Sequence, residues 1–219
     1  MDEDIKKVKA LYSDGQAITD MFEYSTKKLK KWEIQAISDF PLYSSILDIG
    51  CGMGREAFCL HDKGFKVTGI DISEKVIDVA KNIAEANNIK IDFIVSNGSN
   101  LPFADSTFDI VIIWAQTFGL FYGEDNQQYM LGECKRVLKN DGILSFSSHD
   151  RKYQQDKYPQ FLKGNKFYPY ADTDCYWETF TLDELNTCAK KAGFREIESQ
   201  RGFVYTEDDG TILHCKCRK

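Results

Sequence analysis

The run DIGCGMGR, from Asp48 to Arg55, gathers a carboxylate, three glycines and a cysteine at the end of an apolar segment. Glycines without a Cβ let a chain turn tightly and let its backbone approach a ligand. Gly50 and Gly52 open as a dinucleotide fingerprint opens, but its third small position is Arg55, and Gly54 makes the spacing G-x-G-x-G instead. Asp71 stands 21 residues after Gly50, where a carboxylate can accept both hydroxyls of a ribose. His149 closes the run GILSFSSH. An imidazole at a strand end could take a proton from an ammonium or hydroxyl group, or simply bond to backbone, and Asp150 beside it could orient the ring. Cys215 and Cys217 with His214 offer metal-binding atoms, but TILHCKC alternates like a strand and has no second ligand pair at zinc spacing, so no metal is expected.

These residues need elements to hold them. SSILDI, KVTGID, IKIDFIV, FDIVIIWA and GILSFSS read as strands separated by helical patterns, which means crossover connections on a parallel sheet. The helix from Ser73 to Asn87 takes Ser73 as N-cap and turns Val76, Val79, Ala80 and Ile83 inward. A helix from about Asp125 to Leu138 buries Met130, Leu131, Cys134, Val137 and Leu138. Thr181 and Glu184 form a capping box for a helix that Gly193 ends. REIESQ and TILHCKC, joined by the turn Glu207 to Gly210, suit a final antiparallel pair at the sheet edge. Residues 15–38 predict one amphipathic helix with Ile18, Phe22, Leu29, Trp32 and Ala36 inside and Lys27, Lys28, Lys30 and Lys31 on a solvated face.

Composition narrows the partners. A net charge of -6 over 219 residues disfavours a nucleic acid. No apolar run approaches the ~18 residues of a membrane span, and MDEDIKKVKA lacks a signal-peptide core. Seven scattered cysteines suit reduced thiols, so a cytoplasmic protein, monomer or homodimer, is expected.

Further motifs join the glycine run in a fixed order. LDIGCGMGR, VTGIDIS, NGSNLPFADSTFDIVII, CKRVLKNDGILSF and TLDELNTCAKKAGF together resemble the class I S-adenosylmethionine-dependent methyltransferases, from residue 46 to about 195. The resemblance implies S-adenosylmethionine as cofactor and S-adenosylhomocysteine as product. It implies that Asp48, Gly50, Cys51, Gly52 and Gly54 shape the methionine side of the cofactor pocket, that Asp71 binds the ribose, and that Ile72, Trp114 and Gln116 join the pocket. Asn97 stands where the family often has an aspartate facing the adenine amino group, with the backbone amides of Gly98 and Ser99 beside it. The expected fold is α/β and Rossmann-like: a doubly wound, mostly parallel seven-stranded sheet with an antiparallel C-terminal edge strand and N-terminal helices.

The acceptor is read from the remaining segments. The family's D/N-P-P-Y/F motif is replaced by Trp114-Ala115-Gln116-Thr117, against adenine-N6 and glutamine-amide acceptors. FDIVIIWAQTFGLF is similar to the branch acting on small metabolites; Gln116 and Thr117 then either face the acceptor or are ordinary loop residues, and His149, from its place at the strand end, is the candidate base. Methyl transfer to N or O of a small molecule is therefore expected, with an RNA or protein methyltransferase and a non-catalytic binding module as alternatives. One domain spans 1–219: a helical cap over 1–42, a cofactor-binding core over 43–149, an aromatic insertion over 150–180 and a closing helix with edge strands over 181–219. The insertion carries Tyr153, Tyr158, Phe161, Phe167, Tyr168, Tyr170, Tyr176, Trp177 and Phe180 and is expected to wall the acceptor.

Overall fold

The computed structural model describes residues 2–13, 15–97, 100–206 and 209–219. Apolar strands and helices alternate as the sequence pattern requires: β1 Ser45–Ile49, α4 Arg55–Asp62, β2 Lys66–Asp71, α5 Glu74–Ala86, β3 Asp92–Val95, β4 Phe108–Ile113, α6 Glu124–Val137 and β5 Leu138–Asp150. Ahead of them stand α1 Asp2–Leu11, α2 Gln16–Ser25 and α3 Lys31–Ala36. After them come α7 Arg151–Lys157, the short strands β6 Leu162–Lys163, β7 Lys166–Phe167 and β8 Trp177–Phe180, then α8 Leu182–Lys191, β9 Arg195–Phe203 and β10 Thr211–Arg218.

The five first strands run parallel in the order β3-β2-β1-β4-β5. β10 lies antiparallel on β5, and β9 lies outside β10, so the antiparallel strand sits one place in from the edge. Beyond the end of β4, β8 joins β5 in parallel at Thr179 and Phe180, and the hairpin β6–β7 extends it. The insertion thus adds three short strands to the seven expected.

Period-two alternation divides the core into two layers. Leu47, Ile49, Val111, Ile113, Leu144 and Phe146 pack against Met130 and Leu131 of α6 and Leu185 of α8. Ile46, Ile110, Ile112 and Ile143 face the other way, toward Trp32 of α3, Ala57 and Leu60 of α4 and Ile77 and Ala80 of α5. Every one of these residues is buried, as a strand covered on both faces demands.

Two local expectations change. The single helix over 15–38 is two, α2 and α3, and Lys30 is buried at the N-cap of α3 in an extended conformation while Lys27, Lys28 and Lys31 stay exposed. The reason is tertiary: the chain breaks there because Glu33, three residues on, accepts the Lys30 N–H at 2.6 Å and holds Arg55 of α4. Ser73 does precede α5, but its hydroxyl does not cap the helix; it donates to the Tyr12 carbonyl at 2.8 Å. The Thr181–Glu184 box is formed as expected. Glu207 and Asp208 of the expected turn lie outside the described residues.

Candidate functional site

Ligands of open α/β sheets sit at the carboxyl ends of the parallel strands, and the chain builds a cavity there. β1 ends at Ile49, and Gly50, Gly52 and Gly54 then turn the chain with φ of 76°, 53° and 90°, a region costly to residues bearing a Cβ. The turn is pinned from β2: Asp71 accepts the Gly52 N–H at 2.9 Å through one carboxylate oxygen and the Ser73 N–H at 2.9 Å through the other. Each oxygen keeps a further lone pair. Burial raises the Asp71 carboxyl above its ordinary value, opposed by the N–H groups of Ser73, Gly52 and Ile72.

A cavity of about 160 Å³ runs from this turn along the strand ends. Gly50, Asp71, Ile72, Ser96 and Asn97 line it in sequence from the glycine turn past β2 to β3. Ala115, Thr117, Leu120, Phe121 and Tyr122 line it after β4, with Asn126, Tyr129 and Met130 of α6. Asp4, Ile5 and Val8 of α1, Tyr12 just after it, and Met21 of α2 complete the lining. Among the described lining residues there are two carboxylates and no Lys, Arg or His.

The expected site residues divide by depth. Asp48, Cys51, Gly52 and Gly54 do not line the cavity; they form and support the turn beneath it. Asp48 is buried, and its Oδ2 has no hydrogen-bond partner among the described residues. Burial first and the neighbouring Glu56 second push its carboxyl well above the ordinary range. The Cys51 thiol is likewise buried and raised. Gly98 and Ser99 lie outside the described residues.

Trp114, Gln116 and His149 do not take the expected places. Trp114 continues the Ile110–Ile112 side of β4, away from the cavity, where its Nε1–H donates to Ser145 Oγ at 2.7 Å and its ring meets Trp32 at 5.3 Å. Ala115 and Gln116 are both left-handed, with φ of 49° and 65°; the bend brings Thr117 onto the cavity wall and sets Gln116 aside. His149 lies on the Ser145 side of β5, because the register with β10 is unbroken from Ile143 to His149. Its ring packs against Phe167 at 5.1 Å and Trp177 at 6.1 Å, with Nδ1 3.2 Å from Gln154 Nε2. Burial, and then Lys30, lower its pKa to about 3, which leaves a poor base at neutral pH. We therefore expect His149→Ala to lower the melting temperature while S-adenosylhomocysteine affinity, read by calorimetry, stays within a few fold; a large loss of affinity would restore a role in the site.

The insertion does not line this cavity either. It backs the wall instead: Tyr176 stacks on Tyr122 at 4.1 Å with planes 14° apart, and its N–H donates to Tyr122 Oη at 3.2 Å. Glu178 accepts the Gly123 N–H at 3.2 Å. Sequence reasoning missed the lining side chains of α1 and α2 and those from Leu120 to Met130. Ile5, Val8 and Tyr12 do carry the signal of a helical stripe, but nothing local says what the stripe covers.

Comparison with known proteins agrees with this geometry. Residues 46–142 match the methyltransferase domain family. A protein of Geobacillus sp. (strain WCH70) named as a methyltransferase is 35% identical over 130 residues, 59% of this chain and 49% of the relative. The ubiquinone biosynthesis O-methyltransferase of Coxiella burnetii is 34% identical over 109 residues, 50% of this chain and 45% of the relative. The chain thus spans about half the length of these two curated relatives. The crystal structure of a SAM-dependent methyltransferase from Methanosarcina mazei superimposes with a TM-score of 0.71 at 25% identity, over 88% of this chain and 99% of that one. With its strand order, its glycine turn and Asp71 at the end of β2, the chain has the fold of the class I S-adenosylmethionine-dependent methyltransferases, and residues 46–142 match a methyltransferase domain.

Proposed function

We propose that the protein transfers a methyl group from S-adenosylmethionine to a nitrogen or oxygen of a small cytoplasmic molecule. The observation that carries this reading is the lining of the cavity: a glycine turn, a buried carboxylate and Asn97 in a row, closed mainly by apolar and aromatic side chains, with no Lys, Arg or His among the described lining residues. The residues fit the cofactor. Gly50 offers backbone where a Cβ would lie 2.4 Å from Thr117, Asp71 keeps lone pairs for ribose hydroxyls, and Ile72, Ser96 and Asn97 flank the place of the adenine. The unpartnered Asp48 oxygen behind the turn leaves a hydrogen-bonding atom for the amino-acid end.

The bound cofactor supplies an electrophilic methyl on a positive sulfonium. Transfer from it is an in-line displacement that disperses charge, so alignment and exclusion of water can account for most of the rate. In this chain Thr117, Leu120, Phe121 and Tyr122 line the cavity from the segment after β4, and Ile5, Val8 and Tyr12 line it from the N-terminal segment. Burial raises the phenols of Tyr12 and Tyr122 above their ordinary value, so both remain neutral hydrogen-bond donors toward an acceptor. No base is required where the acceptor reaches the cavity unprotonated. The O-methyltransferase among the relatives acts, by its name, in the biosynthesis of a small molecule, which is compatible with this reading.

The test is S-adenosylhomocysteine formation from S-adenosylmethionine with a small-metabolite pool, with total RNA and with protein extract. Formation with the first alone is expected. Formation with RNA or protein alone overturns the small-molecule reading, and tight binding without turnover on any of the three marks a non-catalytic module.

A further inference from the structure

We propose that Arg55 and Glu33 are positioning residues for the cofactor cavity, forming a buried clasp that fixes the roof helix α2 over the glycine turn. The proposal rests on the cofactor reading above. Arg55 occupies the position where a dinucleotide fingerprint would have a small residue, and it begins α4 directly after Gly54. Its guanidinium donates to both oxygens of Glu33, at 2.9 and 2.6 Å, to Glu56, and to the Lys28 carbonyl at 3.2 Å. Arg55, Glu33, Glu56 and Lys30 are all buried. A charge group of this kind holds its partners strictly, because each charge needs the others once water is gone.

The clasp sits where it can control the roof. It grips residues 28–33, just past the end of α2 at Ser25, and α2 carries Met21 into the cavity lining. Met21 Sδ lies 2.9 Å from the point a Cβ on Gly52 would occupy, so roof and turn are in direct contact. The far end of the roof is held, among the described residues, without buried charges: Ser73 Oγ donates to the Tyr12 carbonyl at 2.8 Å, Lys75 Nζ to the Ser13 carbonyl at 2.9 Å and Tyr170 Oη to Asp20 at 3.0 Å, and Ala17 packs with Leu11, Cys175 and Trp177. The Arg55 end is the one anchored through buried charges, directly beside the glycine turn that Met21 meets. A lysine at 55 keeps the charge but cannot span Glu33, Glu56 and the Lys28 carbonyl at once.

The experiment compares the parent with Arg55→Lys and with the pair Glu33→Gln/Arg55→Met, in which the glutamine still accepts the Lys30 N–H, the guanidinium is gone and the two buried charges left, Lys30 and Glu56, are of opposite sign. Calorimetry with S-adenosylhomocysteine, thermal melting and amide hydrogen exchange are read on each. In Arg55→Lys the affinity should fall about tenfold and exchange in α2 should quicken, with β1 and β4 unchanged. In the pair, melting should recover toward the parent while affinity stays low. Parent-like affinity in Arg55→Lys, or affinity returning together with melting in the pair, overturns the clasp and leaves only a folding role. A pair that does not fold also overturns it. A parent that fails to bind S-adenosylhomocysteine overturns the cofactor reading itself, a result distinct from parent and variants binding alike.

Discussion

Asp71→Ala should weaken S-adenosylhomocysteine binding about a hundredfold in calorimetry and also lower the melting temperature. The affinity loss has two sources. A charge-assisted contact to the ribose contributes about 1.5–3 kcal/mol, worth roughly ten- to a hundredfold. The Gly52 and Ser73 N–H groups, each 2.9 Å from Asp71, then lose their acceptor, and the glycine turn loses its tie to β2. A buried N–H without a partner costs about 1–3 kcal/mol, which is the origin of the melting effect. Asp71→Asn separates the contributions: one amide oxygen can still accept from one N–H, so the loop loses less while the charge is gone. If Asp71→Ala binds as the parent does, the carboxylate at the end of β2 is only a loop staple.

Gly50→Ala should cost as much by a different route. At φ of 76° an added Cβ strains the backbone, and it would lie 2.4 Å from Thr117 Cγ2 and 2.7 Å from its Oγ1. Left-handed strain of about 1–2 kcal/mol and overpacking of about 1–3 kcal/mol add to about 2–5 kcal/mol. For a chain of this size that is a fall of order 10 °C in melting temperature. The displaced Thr117 and turn should take cofactor affinity down with it. Gly132→Ala is the control: nothing lies within 4 Å of its added Cβ, and it stands inside α6, where alanine is favoured by about 1 kcal/mol. Equal melting of Gly50→Ala and the parent contradicts the tight turn.

Much of this was legible in the sequence because it is local. The all-apolar β4, the glycine turn, the Thr181–Glu184 box and the carboxylate closing β2 each announce themselves within a few residues. What was not legible depends on contacts far apart in the chain. Lys30 reads as one of four solvated lysines until Arg55, 25 residues away, brings Glu33 beneath it. Trp114 and His149 were placed correctly at strand ends, but the side of the sheet each faces depends on alternation through a strand and its partner's register. The insertion's rings suggested a wall, and the cavity's aromatic lining comes instead from Tyr12, Phe121, Tyr122 and Tyr129, with the insertion one layer behind.

The most direct measurement is a calorimetric titration of the purified chain with S-adenosylhomocysteine and, separately, with NAD. A glycine turn with Arg55 at the third position, two carboxylates and no cation among the described residues of the cavity wall should bind S-adenosylhomocysteine and leave the pyrophosphate of NAD without a counter-charge. Saturable binding of S-adenosylhomocysteine, weakened by Asp71→Ala, with no NAD binding at the same concentrations, is the predicted result. NAD binding more tightly than S-adenosylhomocysteine would contradict it.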